Sequence, residues 1–241
     1  MDSIVLAAKE LLVEGKDMSL RGVAARVGVT APALYRYIDG YDELTDLVAA
    51  DLAGSTTTAF LEGASRYPDD PAGQLVGVAV AFRNWALNHR PEYAISFANP
   101  FPRHGDTEHG GTHASGPVSA SPVFNKMVLQ LWRRYDFDLP TLDDRTRQAV
   151  AGLNQPELDP EIDADADTRA ALSWLLMRAW SALHGIVTLE AYEQVHPSLV
   201  KDAVLFSEIV LEWADRLTAD SAREHVRKVL ATELGRTPAA G

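Results

Sequence analysis

Hydrophobic residues along the chain recur with the 3.6-residue spacing of an α-helix, and no segment shows the strict alternation typical of a β-strand. The pattern predicts an all-α protein. Three short helices are predicted within the first 38 residues. The first ends near Gly15, the second follows Ser19 and ends at Gly28, and the third follows Thr30 and ends at Ile38.

Longer helices are predicted for the rest of the chain. They span residues 41–65, 71–89, 91–98, 122–137, 167–194, 197–217 and 220–234. Residues 99–122 hold four glycines and four prolines with little to bury, so we expect a mobile loop that a protease cuts first at Arg103. An acidic connection at 154–165 and a frayed tail from residue 237 complete the prediction.

The small residues near the N-terminus have the spacing of a helix-turn-helix. Ala24 is small enough for two helices to cross, and Gly28, four residues later, allows the left-handed backbone of a tight turn. Four apolar residues are expected to pack this pair against the first helix, namely Val23, Val27, Val29 and Leu34. Spacing alone favours DNA binding and an unrelated helical bundle equally.

The residues at these positions resemble the N-terminal DNA-binding domain of the TetR family of transcriptional regulators. The similarity spans about residues 4–52 and is clearest in Gly-Val-Thr at 28–30 and Leu-Tyr-Arg-Tyr at 34–37. It implies a helix-turn-helix domain at 1–53 and a helical ligand-binding and dimerisation domain at 54–236. It also implies a homodimer on a near-palindromic operator in double-stranded DNA, usually a repressor that a small-molecule effector releases.

The resemblance assigns DNA contacts to the second and third helices. Thr30, Ala31 and Pro32 would face base edges, whereas Tyr35 and Arg36 would reach phosphate oxygens. The residues predicted to bind DNA are Ser19, Arg21, Thr30, Ala31, Pro32, Tyr35, Arg36, Tyr37 and Tyr41.

Four of the residues near this surface have more than one interpretation or depart from the family pattern. Tyr37 could belong to the core instead. Arg21 and Arg26 could anchor the DNA backbone or could only keep the surface soluble. Tyr41 stands where the family usually has a phosphate-binding Lys, and its hydroxyl can still donate a hydrogen bond to phosphate.

The charge of the chain opposes general affinity for nucleic acid. The net charge is −12, and residues 1–53 carry five basic against nine acidic side chains, a net charge of −4. The second hypothesis is therefore a helical small-molecule-binding dimer that has lost DNA affinity. A basic or neutral surface around the third helix would favour DNA binding, and a continuous acidic surface would favour this alternative.

Aromatic residues at helical spacing predict where an effector binds. Residues 180–190 resemble the Trp/Leu-His-Gly segment of one C-terminal subfamily of TetR regulators. Such aromatics usually form core, but apolar pockets oriented by a few polar groups are built from the same residues. The residues predicted to bind the effector are Phe82, Trp85, Asn88, Phe97, Trp132, Trp180 and His184.

The last long helices carry more apolar positions than one narrow core face requires. We therefore expect an isologous interface between two copies of the chain. The positions concerned are Leu172, Leu175, Leu176, Leu183, Ile186, Leu205, Ile209, Leu211 and Trp213.

Signals for catalysis, metal binding and membrane insertion are weak. The chain has no cysteine and no nucleophile elbow, zincin motif or phosphate-binding glycine loop, so we expect no enzyme and no cofactor. Histidines 104, 109 and 113 lie in a glycine-rich segment, and the acids at 159–167 lack the glycine and glutamate of a calcium loop, so neither is expected to bind metal. No apolar window approaches the length of a membrane span, which predicts a soluble, cytoplasmic protein.

Overall fold

The computed structural model describes residues 1–98, 121–151 and 165–236, and the regular structure within these ranges is helical without a strand. The helices are α1 Asp2–Val13, α2 Leu20–Val27, α3 Ala31–Leu34, α4 Tyr41–Ser65, α5 Pro71–Asn88, α6 Arg90–Tyr93, α7 Ser121–Tyr135, α8 Asp144–Ala151, α9 Ala166–Ala191, α10 Pro197–Lys201, α11 Val204–Leu217 and α12 Arg223–Leu234. A π-helical turn, Ala94–Ala98, follows α6, and a 3₁₀ turn, Asp220–Ala222, precedes α12. No helix in these ranges is long and apolar enough to cross a membrane.

Some predictions fall outside the described residues. One is the mobile loop predicted at 99–122, with its three histidines and Arg103, of which only the start of α7 is described. The others are most of the acidic connection at 154–165 and the tail from residue 237. Asp165 is described, and its carboxylate accepts a hydrogen bond from the Thr168 backbone N–H at 2.7 Å, which caps α9. This hydrogen bond also lowers the pKa of Asp165.

The all-α prediction is confirmed, although several helices differ from the predicted ones. The helix predicted over 91–98 is α-helical only to Tyr93 and continues as the π-helical turn. The third helix is regular only over Ala31–Leu34, because the next residues form a tighter turn in which the Tyr37 N–H donates to the Leu34 carbonyl. The helix predicted over 197–217 is broken at Ala203, whose φ of 49° is left-handed. The short helix α8 was not predicted, since its eight residues carry few apolar side chains.

The described residues form two compact units. The first contains Met1–Thr58 and residues 88–98, and the second contains Ala59–Leu87 with 121–151 and 165–236. In the first unit, α1, α2 and the beginning of α4 enclose one apolar core. Leu34 and Ile38, on either side of the exposed turn, are 1% and 2% exposed and fix α3 to this core.

The helix-turn-helix forms by the local signals that the sequence carries. The Ser19 hydroxyl accepts a hydrogen bond from the Gly22 N–H at 3.2 Å, and the Thr30 hydroxyl accepts one from the Ala33 N–H at 3.3 Å. Gly28 ends α2 with a φ of 81°, a conformation that costs a residue with a Cβ free energy. Val23 and Leu34 are buried as predicted, but Val29 is 37% exposed, because it follows the turn and points away from the core.

In the second unit, α4 and α5 approach each other at a pair of glycines. A Cβ atom on Gly63 would lie 2.6 Å from the Gly77 carbonyl oxygen, and a Cβ on Gly77 would meet the Gly63 carbonyl oxygen even more closely. The two backbones can therefore touch only because neither residue has a side chain. This approach was not predicted from the sequence.

A buried carboxylate ties α12 to the end of α4. Glu233 is 1% exposed, and it accepts hydrogen bonds from the Arg66 guanidinium at 2.9 Å and from the Tyr67 hydroxyl at 2.8 Å. Burial, followed by the hydrogen bond to Glu233, raises the pKa of the Tyr67 hydroxyl. The C-terminal helix is thus held by a polar network as well as by its apolar face.

Candidate nucleic-acid interface

An exposed turn at the end of α3 presents the residues predicted to contact DNA. Because Leu34 and Ile38 face the core, the three residues between them project outward. Tyr35 and Tyr37 are 55% and 60% exposed, and Arg36 is exposed as well. The alternative in which Tyr37 belongs to the core is wrong.

The remaining predicted DNA residues lie at different depths. Thr30 and Pro32 are exposed, whereas Ala31 is half-buried. Ser19 is half-buried and caps α2, which leaves less of its side chain for a partner. Tyr41 opens α4 and is 51% exposed, so its hydroxyl reaches solvent.

Most basic side chains of residues 1–53 are held by acids of the same unit. Lys9 pairs with Asp51 at 2.6 Å, and Lys16 pairs with Glu14 at 2.7 Å. Arg21 and Arg36 are the exceptions, since both are exposed and neither forms an ion pair with any residue in the described part of the chain. The positive charge that remains available is therefore on the two predicted phosphate contacts.

Arg26 has a different role from the predicted backbone anchor. Its guanidinium donates to Glu10 at 3.0 Å and to both Glu14 oxygens at 2.9 and 2.6 Å, so it joins α2 to α1. The hydrogen bond from Arg26, followed by that from Lys16, lowers the pKa of Glu14 to about 2. Arg26 therefore stabilises the unit, and its charge is already neutralised.

The acidic groups beside the turn are partly engaged as well. The Glu43 carboxylate accepts a hydrogen bond from the Asp39 backbone N–H at the start of α4. The pairing of Glu10, Glu14 and Asp51 with the basic residues named above removes three charges of each sign. The remaining two basic and six acidic side chains of residues 1–53 therefore still sum to −4, and Arg21 and Arg36 must bind phosphate against this charge.

Substitutions of Arg26 and Arg36 should have opposite consequences. Arg26→Gln removes the link between α1 and α2 and should lower the melting temperature by roughly 2 °C, while the salt dependence of DNA binding stays the same. Arg36→Gln should leave the melting temperature unchanged and reduce the slope of log K against log salt by about 2 for a dimer. Thermal denaturation and anisotropy titrations at several salt concentrations measure both. If Arg26→Gln reduced the salt slope and Arg36→Gln did not, the assignment of Arg36 to phosphate and of Arg26 to the α1–α2 link would be wrong.

In the second unit, three of the predicted effector residues lie together. The Phe82 ring is 5.1 Å from the Trp180 ring and 6.4 Å from the His184 ring, and the latter two are 5.6 Å apart. Phe60 of α4, which the sequence analysis did not select, contacts Phe82 edge to face at 5.6 Å. The four rings form an aromatic cluster between α4, α5 and α9.

The four other predicted effector residues have different surroundings. Trp85 is buried on α5, and Trp132 packs with Val128 and Leu172 in a separate apolar cluster. Asn88 is exposed, and Phe97 stacks on Tyr93 at 5.1 Å in the first unit. The aromatic cluster, as defined by its four rings, thus includes three of the seven predicted residues.

His184 should make the stability of the chain depend on pH. Burial lowers the pKa of His184 below its usual 6.5, so the unfolded chain binds more protons between the two values. The contribution of the neutral imidazole to stability is then fully present above pH 6.5, and it decreases as the pH falls from 6.5 towards the lowered pKa. In urea denaturation, the free energy of unfolding should decrease more steeply as the pH falls below 6.5 in the wild type than in His184→Phe. Equal pH profiles would contradict the burial of a neutral imidazole.

A buried ion pair lies near the aromatic cluster in sequence and was not predicted. Arg83 is 7% exposed and its Nε donates to Glu190 at 2.5 Å, while Glu190 is 1% exposed. The same guanidinium donates to the Val200 carbonyl and stacks over the Phe206 ring at 5.3 Å. Burial raises the pKa of Glu190, and Arg83 partly offsets this effect.

The helices α9 and α11 carry an exposed apolar surface that overlaps the predicted one in part, at Leu205 and at the groove residues Ile209 and Trp213. Leu172, Leu175, Leu183 and Ile186 are buried within the chain itself. The exposed residues are Met177, Leu189, Val204 and Leu205. Between the two helices lies an open groove of about 440 Å³, lined by Trp174, Met177, Arg178, Ser181, Ala182, Ile209, Glu212 and Trp213.

Comparisons with known proteins agree with this architecture. Residues 75–212 match the family described as tetracyclin repressor-like, C-terminal domain. The HTH-type transcriptional regulators Rv1816 of Mycobacterium tuberculosis and Mb1846 of Mycobacterium bovis are each 26% identical over 232 residues, which cover 92% of this chain and 91% of theirs. The solved structure of SCO4313, a protein described as regulatory, shares the fold with a TM-score of 0.56 and 23% identity, over 87% of this chain and 92% of that one.

Proposed function

The chain belongs to the tetracyclin repressor-like family and is a DNA-binding transcriptional regulator, and we propose that it is a homodimeric repressor which a small molecule releases from a near-palindromic operator. We assign DNA binding to residues 1–53 and effector binding and dimerisation to 54–236. Such a regulator works beside the DNA, in the cytoplasm. The Leu183-His184-Gly185 sequence supports a place in the Trp/Leu-His-Gly subfamily.

The exposed turn at the end of α3 is the observation that carries the proposal. Tyr35, Arg36 and Tyr37 offer three side chains that donate hydrogen bonds to phosphate, and Arg36 and Arg21 have no acidic partner among the described residues. Two exposed tyrosine rings beside an arginine without an acidic partner are typical of a binding surface rather than of a surface that contacts only solvent. This surface favours the regulator over the ligand-binding dimer without DNA affinity.

The exposed apolar residues of α9 and α11 support dimerisation through these two helices. A monomer would leave Met177, Leu189, Val204 and Leu205 in water, whereas an isologous interface buries each of them twice. Two copies also supply two α3 turns, which a palindromic operator requires. Operator affinity of the α3 turns in the first unit should therefore depend on a dimer interface formed by the second unit.

Charged substitutions in α11 test this link. Val204→Glu combined with Leu205→Glu places four buried charges in the dimer and should give a monomer in sedimentation at micromolar concentration. The monomer should bind the operator at least about 100-fold more weakly, because the second half-site no longer adds to the affinity. Lys228→Glu on α12 is the control and should remain dimeric. A wild-type protein that sediments as a monomer would contradict the proposal.

Effector binding is proposed for the second unit at the aromatic cluster. Phe82, Trp180 and His184 provide apolar walls and one polar group, as small-molecule sites commonly do. Small-molecule fractions should release the wild-type protein from its operator, and Trp180→Ala should bind the same operator but resist release. If no fraction releases the wild type, or if Trp180→Ala responds equally, the effector part of the proposal is wrong.

A further inference from the structure

The exposed surface around the α2–α3 turn is apolar where a DNA reader usually carries polar side chains. Between residues 27 and 38 the sequence contains no Asn, Gln, Asp, Glu or Lys. Arg36 is therefore the one side chain of this stretch that can make two hydrogen bonds to a single base. Each tyrosine hydroxyl can donate one hydrogen bond and can also accept, but its single oxygen cannot form the paired contact that Asn, Gln or Arg makes with one base.

The apolar side chains of this surface point outward. Val29 is 37% exposed and Pro32 is exposed, although neither is needed for the core that Leu34 and Ile38 complete. Thr30 is exposed too. Its hydroxyl oxygen accepts the capping hydrogen bond from the Ala33 N–H, whereas its methyl group takes no part in the cap and can make an apolar contact.

Only one feature of the major groove matches such a surface. Each base pair presents hydrogen-bonding groups there, and thymine alone also presents a methyl group, at C5. A valine, a proline ring and a threonine methyl group cannot satisfy base donors or acceptors, and they would leave those groups desolvated without a partner. Against thymine methyl groups the same side chains gain by excluding water.

We propose, on the basis of the DNA binding proposed above, that Val29, Thr30 and Pro32 form a thymine-reading patch, which recognises the C5-methyl groups of thymines in each operator half-site. Arg21 and Arg36 then position the patch through phosphates, and the operator half-sites are rich in A·T pairs at the positions that face it. The partner class is accordingly duplex DNA selected through its methyl groups more than through its hydrogen-bond pattern.

Replacing thymine by uracil in the selected operator tests the patch, because uracil lacks only the methyl group. The dimeric wild type first selects duplexes from a random pool at about 50 mM salt. Each thymine of a half-site is then replaced by uracil in synthetic duplexes. Affinity should fall about fourfold for each methyl group that the patch contacts, and about 16-fold when both half-sites are changed.

Val29→Ala and Pro32→Ala complete the test as a double-mutant cycle. Each variant should bind the thymine operator more weakly than wild type, and part of the uracil effect should disappear in it. Val13→Ala, an exposed valine on α1, is the control and should retain the full uracil effect.

Three results would overturn the inference. Uracil could leave the affinity of the selected operator unchanged, the uracil effect could be the same in Val29→Ala and Pro32→Ala as in wild type, or the selected half-sites could lack a shared thymine. An empty selection would be a separate result, since it contradicts DNA binding itself and the thymine-reading patch with it.

Discussion

Arg83→Met should lower the free energy of unfolding by about 3–5 kcal/mol, because it leaves Glu190 buried without its cation. The guanidinium provides three things at once. It neutralises Glu190, donates to the Val200 carbonyl and stacks on Phe206. Urea denaturation followed by circular dichroism at 222 nm measures the loss.

The double variant Arg83→Met/Glu190→Leu separates charge from packing. Removing both charges together should restore stability to within about 1 kcal/mol of wild type, since well-packed apolar side chains replace a buried ion pair with little loss. In Arg83→Met alone, Glu190 should bind a proton more readily, because nothing then offsets the effect of burial on its pKa. The loss in the single variant should therefore be largest at neutral pH and shrink as the pH falls towards 4.5.

Equal losses in the single and double variants would show that the contribution of Arg83 comes from packing rather than from charge. A single-variant loss that does not change with pH would show that Glu190 is already protonated beside Arg83. Either outcome would contradict an ionised, buried pair.

Gly77→Ala should lower the free energy of unfolding by about 3 kcal/mol, close to the upper end for an overpacked core. The added Cβ would collide with the Gly63 carbonyl, which belongs to a helical backbone and cannot turn aside as a flexible side chain could. Either α4 and α5 must separate or the carbonyl must tilt out of its hydrogen bond. Thermal and urea denaturation of the variant measure the effect.

Gly54→Ala on helix α4, which also carries Gly63, is the control. A Cβ on Gly54 meets nothing within 4 Å, so alanine should raise stability by about 0.5–1 kcal/mol through its higher helix propensity. If Gly77→Ala were as stabilising as Gly54→Ala, the close approach of α4 and α5 would be wrong.

The helices of the DNA-binding unit could be predicted because their limits depend on neighbouring residues. Ser19, Gly28 and Thr30 form caps with partners no more than five residues away, and the apolar spacing of α1 and α2 is strong. The length of α3 could not be predicted in this way. Its turn tightens at Tyr37 because Leu34 and Ile38 are both drawn into one core, which is a tertiary constraint.

The features that were missed join residues far apart in the chain. Arg83 and Glu190 are 107 positions apart, and Glu233 meets Arg66 across 167 positions. A single sequence does not indicate which buried charges will meet. For the same reason the sequence left Arg26 open between a DNA contact and a solvated surface charge. Its acidic partners on α1 could be identified only once α1 and α2 had been placed.

The predicted DNA-binding residues determine how strongly the affinity for DNA should depend on salt. With Arg26 neutralised, Arg21 and Arg36 are the cations of residues 1–53 that are exposed and lack an acidic partner in the described structure. A dimer that places both on phosphates neutralises about four of them, which predicts a slope of log K against log salt near −4.

Equilibrium binding of a selected duplex across salt concentrations tests the central claim most directly. Dimeric wild-type protein should enrich a near-palindromic sequence at about 50 mM salt, bind it with a slope near −4, and bind unrelated duplexes poorly throughout. If dimeric protein enriches no sequence above background at this salt concentration, the chain is not a DNA-binding regulator, and the ligand-binding dimer without DNA affinity is the correct account.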